Sequence, residues 1–523
     1  MNDTRGMIAM MGRKGISGPS GKPSDEVKAP AMGRAPSEKA GGANGGTARR
    51  RRGSATEQVS LFERVPKDKR LPWVDIAAIL SGVVSSLSKL MGGGIVAFYA
   101  GCHMGAVAMI VMVVLSFVLT LLVGNITFKE GMPNNVVSRL YVFGTKGSAV
   151  GSLVWIFLLV GVLAVGTVQL GNAILFAFGW SEQWQRWLLF IGISCVWVFM
   201  SLFGAKVIAR LNAVFVIALF CVMGYVIYLV ASQGQLGESL THGALVPGVD
   251  EMEGFAYGLN YSIMTSGLMA LFAADFTRFA RKKSDLVPIS LSGSLAAVVT
   301  YVCGAIVTFF GFSTASAYFS AQGYDAAGAA NAAITNPGVS LVLAAGGVGL
   351  AIICLSQMKV ETSNSIGGAN AVSNLIDSLF GIRVSWPFAV VVANVIGLAF
   401  IMADILDQVN AFMSIGSILT ISWCVLLITD YYLVRGVMKI GSYGTTLRTV
   451  EQVNWRGVVT LATVTVVNAA LYTAGVLPIP FLTTVPMTVG LYVLLSWLMR
   501  DRVRAADIAR VAASASKEIG DPR

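Results

Sequence analysis

Residues 104–125 read MGAVAMIVMVVLSFVLTLLVGN, a run of 22 residues without a charged side chain. A helix of this length crosses the roughly 30 Å hydrocarbon core of a bilayer, because each helical residue rises about 1.5 Å. The whole chain has the same character: 55% of its residues are hydrophobic, 12% are charged, and the mean hydropathy is +0.71. A soluble domain carries about twice that share of charge, so the composition indicates lipid as the solvent.

Similar apolar runs follow one another from Trp73 almost to the end of the chain. The sequence therefore predicts an all-α polytopic membrane protein with twelve transmembrane helices, which we call spans one to twelve. The eighth run is too long for one straight crossing, so we expect it to tilt, bend or extend beyond the bilayer. The predicted spans are 73–99, 104–125, 150–178, 187–203, 207–231, 255–275, 286–312, 339–374, 386–403, 408–434, 456–475 and 481–499.

The charged residues are concentrated outside these runs. Of 38 Lys and Arg residues, 15 precede Leu71, in a Gly-, Ser- and Pro-rich stretch that predicts a disordered basic tail over residues 1–65. The twelve-helix domain is predicted at 66–500 and a second tail at 501–523. The other basic residues favour alternate loops, which predicts an inner or plasma membrane protein with both termini in the cytoplasm. The net charge of +11 thus reflects topology and not nucleic-acid binding.

Two spans carry residues that disfavour a continuous helix. Span one contains three consecutive glycines, Gly92, Gly93 and Gly94, which cost about 1 kcal/mol each in a helix interior. Span six contains the polar patch YSIMTSG at residues 261–267. Paired interruptions in corresponding positions of two five-span halves are typical of a transporter's binding site. The alternative is that the glycines only let neighbouring helices pack closely.

Four motifs resemble the nucleobase–cation symport family of cytosine, purine, hydantoin and allantoin permeases. The similarity extends from about Pro72 to Met499. The motifs are VSRLYVFGTKG at 137–147, ADFTRFAR at 274–281, NSIGGANAVSN at 364–374 and TDYY at 429–432.

The resemblance implies the five-plus-five inverted repeat of leucine-transporter-like proteins, followed by two C-terminal helices. It also implies a transporter that imports a small polar heterocycle by alternating access, with cytosine or a related nucleobase as the expected substrate. The site would lie between spans one, three, six and eight, where side-chain amides can satisfy the donors and acceptors of a nucleobase. The residues implied are Gln169, Ser266, Gly267 and Asn364, with Gly92 and Gly93 at the span-one break.

The sequence departs from the family pattern in its aromatic residues. Family members commonly place a ring on span three to stack on the heterocycle, whereas Gln169 stands near that position here. Tyr257, Tyr261 or Phe272 on span six are candidates to supply a ring instead.

Ionisable residues inside the predicted spans are costly unless they are paired or hydrated, so they indicate function. Lys89 precedes the glycine run, and Lys359 and Glu361 lie in span eight. In the resembled family a sodium ion can sit between the helix-one break and helix eight. We therefore predict that the Lys89 ammonium replaces this sodium, pairs with Glu361 and favours proton over sodium coupling. The alternatives are a permanent ion pair and a lysine that extends toward the membrane surface.

Asp275 and Arg278 lie at the cytoplasmic end of span six, where the sequence predicts a gating or loop-anchoring salt bridge. We expect no enzymatic activity, because the chain lacks the GxSxG motif of an intramembrane protease and the GxxxxGK[ST] loop of an ATPase. The six cysteines lack CxxC spacing, so no metal or cofactor is expected. The expected partners are a small molecule and the lipid bilayer, with a monomer as the simplest assembly. Two other functions remain open: an amino-acid or amine carrier of the same fold, and a transporter-like receptor.

Overall fold

The computed structural model describes residues 64–83, 86–443, 450–501 and 503. The predicted N-terminal tail lies outside these residues up to position 63, and the C-terminal tail lies outside them after position 503. Over the described residues the chain is helical, and every predicted span coincides with a helix or with a pair of helices.

Span one consists of two helices, α1 (Trp73–Val83) and α2 (Leu87–Phe98). Short helices at Asn134–Ser138, Leu236–Ser239 and Ala326–Thr335 lie in the connections. Spans two to twelve are Gly101–Glu130, Ser148–Phe178, Gln183–Phe203, Ala205–Ser232, Glu251–Thr277, Leu286–Ala321, Pro337–Phe380, Trp386–Met402, Val409–Val437, Trp455–Thr473 and Phe481–Leu498.

Seven of the described helices are long and apolar enough to cross a membrane, and the bent pair α1–α2 makes eight. Span six packs along spans two and ten, and span eight packs along spans three and five. Spans eleven and twelve both pack against span ten. The structure thus confirms an all-α architecture, while the count of twelve crossings and the inverted repeat stay predictions.

The prediction that span one breaks at its glycines is wrong. The helix breaks before them: α1 and α2 are inclined by 71° to each other, and Ser86 is extended at the start of α2. The glycines lie inside α2 because they allow close packing against span seven. A Cβ on Gly93 would lie 2.8 Å from the backbone carbonyl carbon of Tyr301 and 2.9 Å from the backbone nitrogen of Ala305.

The predicted break in span six is also wrong, because Glu251–Thr277 is one continuous helix. The polar patch stays helical since its hydroxyls find partners. Ser266 Oγ donates to the carbonyl oxygen of Ser262 one turn earlier, at 2.9 Å, and Thr265 Oγ1 lies 2.8 Å from the Tyr301 hydroxyl.

Span eight is bent, as its length predicted. Gly346 has φ 53° and ψ −133°, a conformation outside the helical region that is open to glycine and strained for residues with a Cβ. The bend divides a 44-residue helix, so the part with Lys359 and Asn364 runs in its own direction beside span three.

Candidate functional site

A cavity of about 510 Å³ lies between α1, α2 and spans three, six, eight and ten. This volume is within the range of small-molecule sites, which are mostly apolar with a few placed polar groups. Its polar or charged lining residues come from α2, span six and span eight. The apolar wall is formed by Ile79, Leu159, Val162, Val165, Met264, Leu268, Met269, Phe272, Phe276, Val360, Ile366 and Met413.

Lys89 lies in the first turn of α2 and lines the cavity. Its Nζ donates to Thr265 Oγ1 at 3.1 Å, and that hydroxyl is also 2.8 Å from the Tyr301 hydroxyl. The break before α2 turns the helix start toward the cavity, so a lysine three residues after Ser86 reaches span six. Lys89 is therefore held by neutral hydroxyl groups at the cavity wall.

Lys359 from span eight is the second lysine in the lining. Its Nζ donates to the carbonyl oxygen of Gly82 at 2.6 Å, in the last turn of α1. The last carbonyl groups of a helix lack partners within that helix, so an ammonium is a favourable neighbour for them. Lys359 thus connects span eight to the break in span one.

Asn364 lines the cavity, as the resemblance implied. Its Nδ2 donates to Glu361 Oε2 at 3.0 Å, one helical turn earlier on span eight. Glu361 itself is fully buried, and its Oε1 accepts from Gln357 Nε2 at 3.3 Å. Glu361 is outside the lining and affects it by holding the Asn364 side chain. The side-chain oxygen and the second N–H of Asn364 remain for a ligand.

Aromatic rings reach the cavity from span six. Tyr261 and Phe272, two of the three residues that the sequence offered as ring donors, line the cavity, and Phe276 adds a third ring. The hydroxyl of Tyr261 donates to the carbonyl oxygen of Ser88, which connects the start of α2 to span six. Tyr257 is outside the lining and bonds to Glu253. Span six therefore supplies aromatic rings to the cavity, whereas the lining residues of span three are the aliphatic Leu159, Val162 and Val165.

Gln169 lies on the same stripe of span three as Val162 and Val165, but it is outside the lining and fully buried. Its Nε2 donates to the carbonyl oxygen of Thr335 at 2.8 Å and contacts Met91 Sδ. In this conformation Gln169 joins span three to the connection before span eight, and its predicted role in substrate binding stays a prediction.

Ser266 and Gly267 face away from the cavity. Ser266 Oγ also lies 3.0 Å from the carbonyl oxygen of Met112 on span two, which shares its hydrogen with the Ser262 carbonyl oxygen. A Cβ on Gly267 would lie 2.5 Å from Thr420 Oγ1 on span ten, so this glycine serves close helix packing. Gly92 and Gly93 likewise pack against neighbouring helices and lie outside the lining.

The predicted ion pair between Lys89 and Glu361 is absent from the described residues. Glu361 points at span three instead: a Cβ on Gly166 would lie 2.5 Å from its carboxyl carbon. Two amides from its own helix, those of Gln357 and Asn364, satisfy its oxygens. Lys89 and Glu361 therefore have different hydrogen-bond partners, on span six for Lys89 and within span eight for Glu361.

Asp275 and Arg278 do not form the predicted salt bridge with each other in the described structure. Asp275 Oδ1 instead accepts the backbone N–H of Asn134 at 2.8 Å, at the start of the short helix after span two. The Arg278 guanidinium stacks 4.6 Å from the centre of the Phe279 ring. Loop anchoring is thus present, but it uses a backbone group and not an arginine.

A spacing of three to four residues identifies the cavity face of span six. Tyr261, Thr265, Met269 and Phe272 recur at helical intervals and all line the cavity, whereas Ser262 and Ser266 lie on another face. Helical periodicity in a continuous span six would have selected Thr265 over Ser266. A break at residues 261–267 would interrupt this periodicity, so the break predicted from the sequence hides the cavity face.

The sequence pattern of a family described as "Permease for cytosine/purines, uracil, thiamine, allantoin" matches residues 64–499. No curated protein is significantly similar to the chain in sequence. Among solved structures, Mhp1, a nucleobase-cation-symport-1 family transporter, was captured closed with bromovinylhydantoin bound. It is 16% identical, with 84% of this chain and 97% of that chain covered and a TM-score of 0.60.

The inward-facing conformation of Mhp1 is also 16% identical, with a TM-score of 0.63 over 85% of this chain and 96% of that chain. A Na⁺-coupled sialic acid symporter in a substrate-bound outward-open state is 10% identical, with a TM-score of 0.51 over 86% of this chain and 93% of that chain. At 10–16% sequence identity, these similarities show that the chain and the two transporters share a fold. The family match covers the whole twelve-span region and confirms the resemblance seen in the four motifs. The chain belongs to the family of permeases for cytosine/purines, uracil, thiamine and allantoin.

Proposed function

We propose that this permease carries a small planar heterocycle of the nucleobase type through the cavity between spans one, three, six, eight and ten. The observation that supports this substrate class is the combination of Asn364 with the rings of Phe272 and Phe276 in one cavity of about 510 Å³. An amide recognises the donor and acceptor edge of a heterocycle, and an aromatic ring stacks on its face.

The amide of Asn364 is held in place before substrate arrives. Its bond to Glu361 fixes one N–H, and Glu361 is fixed in turn by Gln357 and by the tight contact with Gly166. A pre-oriented polar group loses little conformational entropy on binding, which strengthens recognition. Glu361 is therefore assigned to positioning and Asn364 to contact with the substrate.

Coupling to protons and not to sodium is part of this proposal. The resemblance puts sodium between the helix-one break and helix eight, and the Lys359 ammonium bonds to the Gly82 carbonyl at that junction. A resident ammonium there supplies the positive charge that a sodium ion would bring and repels a second cation. This geometry favours Lys359 for the role that the sequence suggested for Lys89.

The two lysines of the cavity lining also bear on the other candidate functions. An amine substrate would bring a positive charge into a cavity lined by two lysines. An amino-acid carrier and a solute receptor stay open, and flux measurements separate them from a heterocycle permease. We also propose a cell membrane location with both termini in the cytoplasm, from the distribution of basic residues in the loops.

Uptake into proteoliposomes tests the proposal. Labelled nucleobases, hydantoin and amino acids are offered singly, with proton and sodium gradients imposed separately. Asn364→Ala should lower heterocycle uptake at least tenfold. Asn374→Ala is the matched control, because Asn374 is on the same helix outside the cavity and bonds to Ser152. Uptake of amino acids alone, or equal loss in both variants, would contradict the assignment.

A further inference from the structure

The cavity lining is strongly unbalanced in charge. Among the described residues it contains two lysines, Lys89 and Lys359, and no aspartate or glutamate. A cation in an apolar, membrane-embedded wall is costly unless an anion or a set of dipoles compensates it. The Lys89 ammonium therefore has no carboxylate beside it among the described side chains of the lining.

Lys89 is the lysine that is open to a ligand. An ammonium has three N–H donors, and the hydrogen bond seen for Lys89 in the described structure goes to the neutral Thr265 hydroxyl. That hydroxyl is shared with Tyr301, so it supplies a dipole and no charge. At least two N–H groups of Lys89 remain for a molecule in the cavity.

Glu361 is the nearest acid along span eight, but its surroundings exclude it as a counter-ion for Lys89. It is fully buried, its oxygens accept from Gln357 and Asn364, and it lies against Gly166 on span three. No ion pair joins it to Lys89 in the described structure. Within the described residues no carboxylate pairs with Lys89, so an anionic group on a substrate would find a charge partner there.

We propose that the substrate is a planar heterocycle that carries a negative charge at neutral pH, with the Lys89 ammonium as its charge partner. This inference rests on the proposed function and narrows its substrate class. The negative group is a ring carboxylate or an ionised acidic ring N–H, and it lies at the Thr265 side of the cavity. Asn364 contacts the polar edge of the ring from span eight, and Phe272 contacts its face.

The selectivity follows from electrostatics in a low-dielectric cavity. A charge-assisted hydrogen bond to Lys89 is about twice as strong as a neutral one. A neutral heterocycle of the same shape leaves the ammonium unpaired after the cavity loses water, and it forgoes this gain. Cytosine, which is neutral, should therefore be a poorer substrate than an anionic ring of equal size.

Matched ligands test the inference directly. Uracil and uracil-6-carboxylate differ only in the carboxylate. Each is tested as an inhibitor of labelled heterocycle uptake and as a ligand that raises the unfolding temperature of the purified protein. We expect the carboxylate to bind at least tenfold more tightly than uracil to the wild-type protein. Equal binding, or tighter binding of uracil, would overturn the inference.

Substitutions then locate the charge partner. Lys89→Met should lower the affinity for the carboxylate at least tenfold more than the affinity for uracil and so remove the preference, and Lys89→Arg should retain the preference. Lys146→Met is the matched control, because Lys146 is exposed in the loop after span two. A carboxylate preference that survives Lys89→Met would contradict the role of Lys89.

The two proposals fail in different ways. Uptake of neutral heterocycles without preference for the carboxylate leaves the proposed function intact and refutes the anionic substrate. No binding or uptake of any heterocycle refutes both. Stabilisation by chloride alone, without a heterocycle, also counts against a heterocycle as the partner of Lys89.

Discussion

Gly93→Ala separates the two interpretations of the glycine run. The added Cβ would lie 2.8 Å and 2.9 Å from backbone atoms of Tyr301 and Ala305, and closer still to the Tyr301 carbonyl oxygen. Ordinary van der Waals contact begins near 3.4 Å, so α2 and span seven would have to move apart by about 0.6 Å to relieve the 2.8 Å contact, and by more to relieve the one with the carbonyl oxygen. Backbone atoms cannot rotate out of the way as a side chain can.

The expected cost is about 3 kcal/mol or more from overpacking, offset by about 1 kcal/mol from the better helix propensity of alanine. We therefore expect Gly93→Ala to lower the free energy of unfolding by about 2 kcal/mol or more. Gly192→Ala is the control with the opposite sign. No atom lies within 4 Å of the Cβ position at Gly192, so only the propensity gain remains.

The assay is equilibrium unfolding in detergent, followed by substrate binding to the folded fraction. A packing role predicts a large stability loss in Gly93→Ala and none in Gly192→Ala. A substrate-binding role predicts wild-type stability with lost binding. Wild-type stability in Gly93→Ala would refute the packing argument.

Three further changes have expected outcomes. Asp430 forms a buried ion pair with Arg435 at 2.6 Å and accepts a hydrogen bond from the Tyr492 hydroxyl. Asp430→Asn should therefore lower the free energy of unfolding by about 3–5 kcal/mol. Asp501 is exposed and pairs with Arg500, so Asp501→Asn should lower it by less than about 1 kcal/mol. Comparable losses in these two variants would contradict the burial argument. Asp275→Ala removes the acceptor for the Asn134 N–H and should speed tryptic cleavage at the following loop, whereas Asp275→Asn, which keeps an oxygen, should not. Lys359→Met should abolish uptake driven by a proton gradient, and unchanged proton-driven uptake in this variant would exclude Lys359 from coupling.

The architecture was readable from the sequence because crossing a bilayer is a local requirement. A run of about 20 apolar residues must satisfy its own backbone hydrogen bonds, so length and hydropathy alone locate a helix. All twelve predicted spans coincide with helices, including the bend in the over-long span eight. The four motifs also indicated the family, which the match over residues 64–499 confirms.

The positions of the breaks were not readable in this way. Glycines and hydroxyl residues disfavour an isolated helix, but neighbouring helices decide whether they are used for a break or for close contact. Gly93 and Gly267 are used for contact, against spans seven and ten. The actual break falls before α2, near Ser86, where the sequence has no glycine run.

The sequence by itself determined a helical membrane permease and the identities of the polar groups in its spans. Only the tertiary structure decided which of them share a cavity. Asn364, Lys89 and Lys359 line it, while Gln169 and Glu361 are engaged by other groups. Glu361 is engaged within its own helix, by Gln357 and Asn364. For Gln169 and Lys359 the physical reason is that their availability depends on hydrogen bonds with distant residues, Thr335 and Gly82, which lie 166 and 277 positions away along the chain. Such partners are set by packing between helices, which no local pattern contains.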